Sequence, residues 1–235
     1  MSQSDSPGVR DVVVHWLLGT ALISWRYLWD TTPLHRTERE GDEAEDAPPP
    51  LPAELVDAAV QTPDEGYGPM FHRRFRVRIA EARLGPEQLM AKVADDFQHF
   101  VPSEVVDVHG GQAGDAGLRV GDDPVVKMPG PWNGPVRVVH RDATSLGYAT
   151  LRGHFEAGQA QFRAYRHEDL LIFEIEVWAR PSTRLIHLLY SRLRVAKEVQ
   201  LNMWVRFCLA AASTAGGRPA DGVHICTRRA PFQRS

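Results

Sequence analysis

From Ser182 to Ser213 the chain runs without a glycine or a proline, and this stretch restricts its fold more than any other. Pro181 stops whatever precedes it, Ser182 or Thr183 offers an N-cap, and Gly216-Gly217 offers a C-terminal stop. A helix over these residues would be roughly 45 Å long at a rise of ~1.5 Å per residue. Leu185, Leu189, Leu193, Ala196, Met203, Phe207 and Ala211 make a continuous apolar stripe along it. A rod of that length with one apolar stripe needs a wall to lie against.

The preceding residues supply one. Arg73 to Ile79 alternates, with Phe75, Val77 and Ile79 on one face and Arg74, Arg76 and Arg78 on the other, which is the pattern of a half-buried strand. Pro86 to Phe97 has helical spacing with proline in the first turn. Short strands are then expected at Val105–Val108, within Leu118–Met128, and at Val136–Arg141, Leu146–Arg152, Ala160–Tyr165 and Leu170–Ala179. The last carries Leu171, Phe173, Ile175 and Val177 on one face against Glu174 and Glu176 on the other, and these two carboxylates are expected to pair with the arginines of the first strand. Each connection is too short for a parallel crossover, so the pairing should be antiparallel.

A strand, a helix, a run of antiparallel strands and one long terminal helix is the order of a helix-grip fold. The fold class expected is therefore α+β, with a sheet of about six to seven strands around the C-terminal helix over residues 66–215. Ahead of it, residues 1–65 read as a helix over about 10–29, carrying Trp16, Trp25, Tyr27 and Trp29, followed by an acidic, proline-rich linker from Glu38 to Pro52 and a short helix from Pro52 to about Gln61. Residues 216–235 read as an irregular tail in which His224–Thr227 adds at most a short edge strand.

The stretches GPMFHRRFRVRI, KMPGPWNGPVRVV, YATLRGHFEAGQAQF, FEIEVWARP and RLRVAKEVQLNMWVRF, in this order over about residues 66–212, resemble the uncharacterised family known as domain of unknown function nineteen-ninety. WRYLWDTTPLHR near the N-terminus looks like its actinobacterial branch. The resemblance implies the boundaries of the fold and transfers no activity. A more distant likeness to START-like lipid-binding proteins rests on strand order alone.

Composition removes some functions. A formal net charge of −3 gives no basic surplus for nucleic acid. Cys208 and Cys226 have neither metal-ligand nor secreted-type spacing, which points to reduced thiols in a cytoplasm, and the ten histidines are scattered, so no metal or cofactor is expected. The apolar run Val12–Trp25 is interrupted by His15 and is shorter than the roughly 20 residues of a membrane span. Nucleophile elbows, phosphate loops and zinc-protease motifs are all missing from the chain.

Three readings of function follow. The first is a binding protein for a hydrophobic small molecule, a lipid or a polycyclic metabolite, held between sheet and terminal helix. Its candidate contacts are Trp132 and Asn133 in a stiff Pro-Gly-Pro-Trp-Asn-Gly-Pro turn, and Tyr190, Gln200 and Trp204 on the terminal helix. Each has a structural alternative: a hairpin turn for the first two, core packing for Tyr190 and Trp204, a strand-end hydrogen bond for Gln200. The second is an enzyme of cyclase or hydrolase type, with His154 as general base and Glu156 as the carboxylate that orients it, against a plain hairpin using both to satisfy the backbone. The third is a module docking a membrane surface or a protein through residues 10–29.

Overall fold

The computed structural model of the chain describes residues 32–101, 107–109, 117–127, 133–184 and 194–232. The proposed N-terminal helix over residues 10–29, and Trp132 and Tyr190, lie outside the described residues.

Nine strands form one sheet in the order β1-β9-β2-β8-β7-β6-β5-β4-β3. They are β1 (Leu34–Glu40), β2 (Met70–Ala80), β3 (Asp107–His109), β4 (Val125–Lys127), β5 (Asn133–Arg141), β6 (Ser145–Thr150), β7 (Glu156–His167), β8 (Leu170–Pro181) and β9 (Arg218–Ala230). Helices α1 (Pro86–Asp95) and α2 (Phe97–Phe100) follow β2, and α3, described over Arg194–Thr214, follows β8. Strands β3 to β8 form an antiparallel meander whose last member pairs with β2, and among the described residues the single parallel contact is β1 on β9. Among the described residues no helix is long and apolar enough to cross a membrane.

The alternation of β2 works as expected on one face: Phe75, Val77 and Ile79 are all fully buried. They meet Leu171, Phe173 and Ile175 of β8 in the same core, with Val205, Phe207, Cys208 and Ala211 of α3 laid over them. Helix α3 ends where glycine permits it. Gly216 adopts φ of 68° and donates its N–H to Ser213, while Gly217 donates to Ala212, the paired bonds of a Schellman cap.

The opposite face carries the expected ion pairs in register. Arg74 stands opposite Glu176 and Arg76 opposite Glu174, with Arg74 Nε 2.7 Å and Arg76 Nε 2.5 Å from the facing carboxylate oxygens. Arg163 on β7 adds a third guanidinium to Glu174, which is fully buried. A fully buried carboxylate is tolerable only with such partners.

Four expectations fail, in the strand count, the C-terminal tail and the segment ahead of β2. The sheet has nine strands rather than six or seven, because β1 and β9 extend it beyond β2. The stretch read as an irregular tail is the 13-residue strand β9 between β1 and β2. Its Pro219 and Gly222 look like turn residues, but Val223 and Ile225 alternate into the core. The acidic stretch taken as a free linker is in part strand β1 and in part a cover for the outer face of the sheet. Asp46, 1% exposed, binds His72 Nδ1 at 2.7 Å, and Leu51, Leu55 and Ala59 pack on Val60, Val139, Ala149 and Leu151. Outward-pointing apolar residues on β5 and β6 need that cover, which the acidic composition of the segment does not reveal. The short helix expected from Pro52 to Gln61 reduces to a single 3-10 turn at Ala53–Leu55.

Candidate functional site

Most of the space beneath α3 is filled. Phe207 has ring centroids 5.1 Å from Phe97, 5.2 Å from Phe100, 5.1 Å from Phe162 and 5.7 Å from Phe173. Beyond this aromatic cluster, on the side of Met203 and Trp204, packing stops and an apolar cavity of about 80 Å³ begins. Its wall comes from α3 (Met203, Trp204), α2 (Phe97), β4 and β5 (Val126, Val136), and the β6–β8 surface (Tyr148, Ala160, Phe162, Val177, Ala179). The β6–β7 turn closes one side with His154, Phe155 and Glu156. Phe162 meets Trp204 edge-on at 5.6 Å, so the last filled layer is also the cavity floor.

The turn with His154 and Glu156 is held by its neighbours. Gly158 lies against β8 so closely that a Cβ there would stand 2.0 Å from the Trp178 carbonyl oxygen. Thr150 Oγ1 accepts from the Gly158 N–H at 2.9 Å, with the Gln61 carbonyl 2.9 Å away on its other side. This locks the base of the hairpin and sets His154 beside Gly134.

His154 and Glu156 both line the cavity, yet they do not form the pair expected of a general base and its orienter. The imidazole Nδ1 lies 2.9 Å from the N–H and 3.0 Å from the carbonyl of Glu156, so the ring serves the main chain. The Glu156 carboxylate points to Arg73 Nη1 at 3.8 Å, in a pair whose side chains are 7% and 1% exposed. Residues two apart along a strand share a face, but here the backbone is the nearer partner. His154 keeps part of its surface on the cavity although protein surrounds the ring, and this burial pushes it down to about 4. It is a neutral imidazole at physiological pH and, with Nδ1 occupied, poorly placed to take a proton.

Trp204, proposed from the apolar stripe, is in the cavity wall. Gln200 is on the described length of α3 and Asn133 opens β5; the orientation of their side chains falls outside the described atoms. One lining residue escaped sequence reasoning. Tyr148, 6% exposed, has a hydroxyl with no hydrogen-bond partner among the described residues, and the indole Nε1 of Trp204 is in the same condition. Burial raises the Tyr148 phenol well above its ordinary value, so it is a neutral donor. An isolated tyrosine in an alternating strand gives no signal of this kind. By contrast the other polar lining groups are satisfied: Thr150 as above, and Gln159 Nε2 on the Pro49 carbonyl at 2.9 Å.

Residues 58–210 match the family model described as Domain of unknown function (DUF1990), so the chain belongs to that family. No curated protein matches it. Among solved structures it is similar to a Thermobifida fusca protein, at 15% identity and a TM-score of 0.44 over 62% of this chain and 93% of the other. It is also similar to norcoclaurine synthase of Thalictrum flavum, at 9% identity and a TM-score of 0.43 over 63% and 98%. The di-domain aromatase/cyclase StfQ of steffimycin biosynthesis matches at 12% identity and 0.43, over 63% of this chain and 52% of that one.

Proposed function

We propose that this family member binds a compact, uncharged, largely apolar small molecule that carries one hydrogen-bond acceptor. The observation that carries the reading is an apolar cavity lined by Tyr148 and Trp204, whose hydroxyl and indole N–H are buried without partners among the described residues. Buried donors are normally satisfied, and a group left open costs about 1–3 kcal/mol. An acceptor on a guest would relieve that cost, whereas an anion would meet the Glu156 carboxylate in the wall.

Size narrows the guest further. An apolar cavity of roughly 150 Å³ accepts benzene, and the present volume is about 80 Å³. A whole lipid or a polycyclic metabolite therefore exceeds the space, and the edge of a single ring or the end of a longer chain, with the rest of the guest outside it, fits better. Burying about 150–250 Å² of one ring at ~25 cal/mol per Å² gives roughly 4–6 kcal/mol before association costs. Affinity for a bare ring is accordingly expected to be no tighter than the order of millimolar.

The test compares acetophenone with its isosteric hydrocarbon α-methylstyrene, followed by Trp204 fluorescence and by methyl NMR of Met203. Acetophenone should bind more tightly, and Tyr148→Phe should narrow the difference. If neither compound perturbs Met203 or Trp204, the binding reading fails.

A further inference from the structure

At the far edge of the sheet from this cavity, β1 and β9 set two histidines side by side. His35 and His224 are direct partners in the parallel ladder, and their rings stack with centroids 4.6 Å apart. Asp221 joins them from the start of β9. Its carboxylate Oδ2 lies 2.6 Å from His224 Nε2, and its carbonyl lies 2.9 Å from His35 Nε2. One ligand atom from each of the three residues falls within 4.8 Å of the other two. We propose that His35, Asp221 and His224 form a site for a zinc-class divalent cation, which clamps the edge strand β1 onto β9.

The donor chemistry selects the ion. Two imidazoles and one carboxylate suit zinc, copper or nickel, whereas calcium and magnesium prefer all-oxygen sites. Zinc–ligand distances of about 2.0–2.2 Å put donors on a shared tetrahedral ion about 3.4 Å apart, so donors up to 4.8 Å apart would close by at most about 1.4 Å, and Asp221 Oδ2 and His224 Nε2, 2.6 Å apart, would open by about 0.8 Å. All three side chains keep exposed surface, which leaves them room to adjust. Arg78 donates to both Asp221 oxygens, with Nε 3.1 Å from Oδ1 and Nη2 2.5 Å from Oδ2. This fixes the carboxylate's orientation as hydrogen bonds around metal ligands commonly do, though its positive charge lowers the affinity. A bound water would complete the shell.

Position gives the site a consequence. Among the described residues, β1 is the terminal strand of the sheet and pairs with β9 alone. A cation held by one residue of β1 and two of β9 would cross-link the ladder that holds β1 in the sheet.

Zinc competition against a chromogenic chelator on the full chain tests the proposal, with hydrogen exchange of the β1 amides as a second readout. One zinc per chain is expected, with affinity reduced about tenfold or more by either His35→Asn or His224→Asn. Slower exchange in Leu34–Glu40 should accompany zinc and not magnesium. His140→Asn, which alters the other exposed His–Asp pair (Nε2–Oδ2 3.0 Å), should bind zinc as the parent does. Undiminished zinc affinity in the His35 and His224 variants, or no stoichiometric zinc binding by the parent, overturns the proposal. Should His224→Asn fail to fold, His35→Asn on the exposed edge strand decides the matter by itself.

Discussion

Replacing Tyr148 by phenylalanine should stabilise the ligand-free protein, contrary to the usual sign for loss of a buried polar group. The ring would keep its packing, with centroids 5.5 Å from Phe97 and 5.6 Å from Phe162. What disappears is a hydroxyl buried without a partner among the described residues. Leaving such a group unmet costs about 1–3 kcal/mol, while the void left by one oxygen costs only a few tenths of a kcal/mol at ~24 cal/mol per Å³. A net gain of about 1 kcal/mol follows, equivalent to about 2–4 °C in Tm for a chain of this size. Urea and thermal unfolding of parent and Tyr148→Phe, without added ligand, measure it directly. A loss of about 1 kcal/mol would mean that the hydroxyl already has a good partner, and the donor argument for the guest would collapse. The same variant should narrow the preference for acetophenone, so stability and binding would move in opposite directions.

The remaining predictions concern the imidazole, the outer face and the core. His154 is held at about 4 against an ordinary 6.5, so the unfolded chain binds the extra proton first and stability should fall as pH drops from about 6.5 to about 4. His154→Asn, which offers an acceptor to the same N–H, should flatten that limb of a pH series of urea midpoints; an unchanged limb would show that the ring titrates normally. Burial works against ionisation of Glu176, but His72, Arg74 and Arg163 outweigh it and bring the group to about 2 from 4.5. Its stabilising share is therefore present above about 4.5 and lost as pH falls toward about 2, a separate acid limb that Glu176→Gln should remove. Phe207→Ala, at a fully buried position among four other phenylalanine rings, should cost about 3–5 kcal/mol in urea unfolding. A cost under about 1.5 kcal/mol would mean that α3 is not clamped on the sheet.

The meander was readable because its signals are local. Phe75, Val77 and Ile79 against Arg74, Arg76 and Arg78 declare both a strand and its buried face, and Glu174 and Glu176 declare the partner strand. Gly216-Gly217 marked the end of α3 for an equally local reason. Strands β1 and β9 were illegible because their pairing joins residues nearly two hundred positions apart, Leu34 with Val223, and β1 is charged on both faces. The same distance hid the metal cluster: His35 and His224 are ordinary scattered histidines until the parallel ladder aligns them. The motif Gly153-His154-Phe155-Glu156-Ala157-Gly158 marked a turn that lines the cavity, with glycine needed at Gly158 for close approach to β8. Spacing could not show that Glu156 would turn to Arg73 and leave His154 to the backbone. Nor could it show Tyr148, whose chemistry depends on what the fold withholds from its hydroxyl.

The most direct measurement is xenon binding, by anomalous diffraction of pressurised crystals or by methyl shifts in solution, because a dry apolar void takes up the gas without needing any particular chemistry. A xenon atom enclosed by Phe162, Met203 and Trp204, with saturable shifts at the methyls of Met203, Val126 and Val177, is the expected result. Xenon found only at the surface, with those methyls unmoved, would mean that side chains close the gap between the strands and α3, and that no guest resides there.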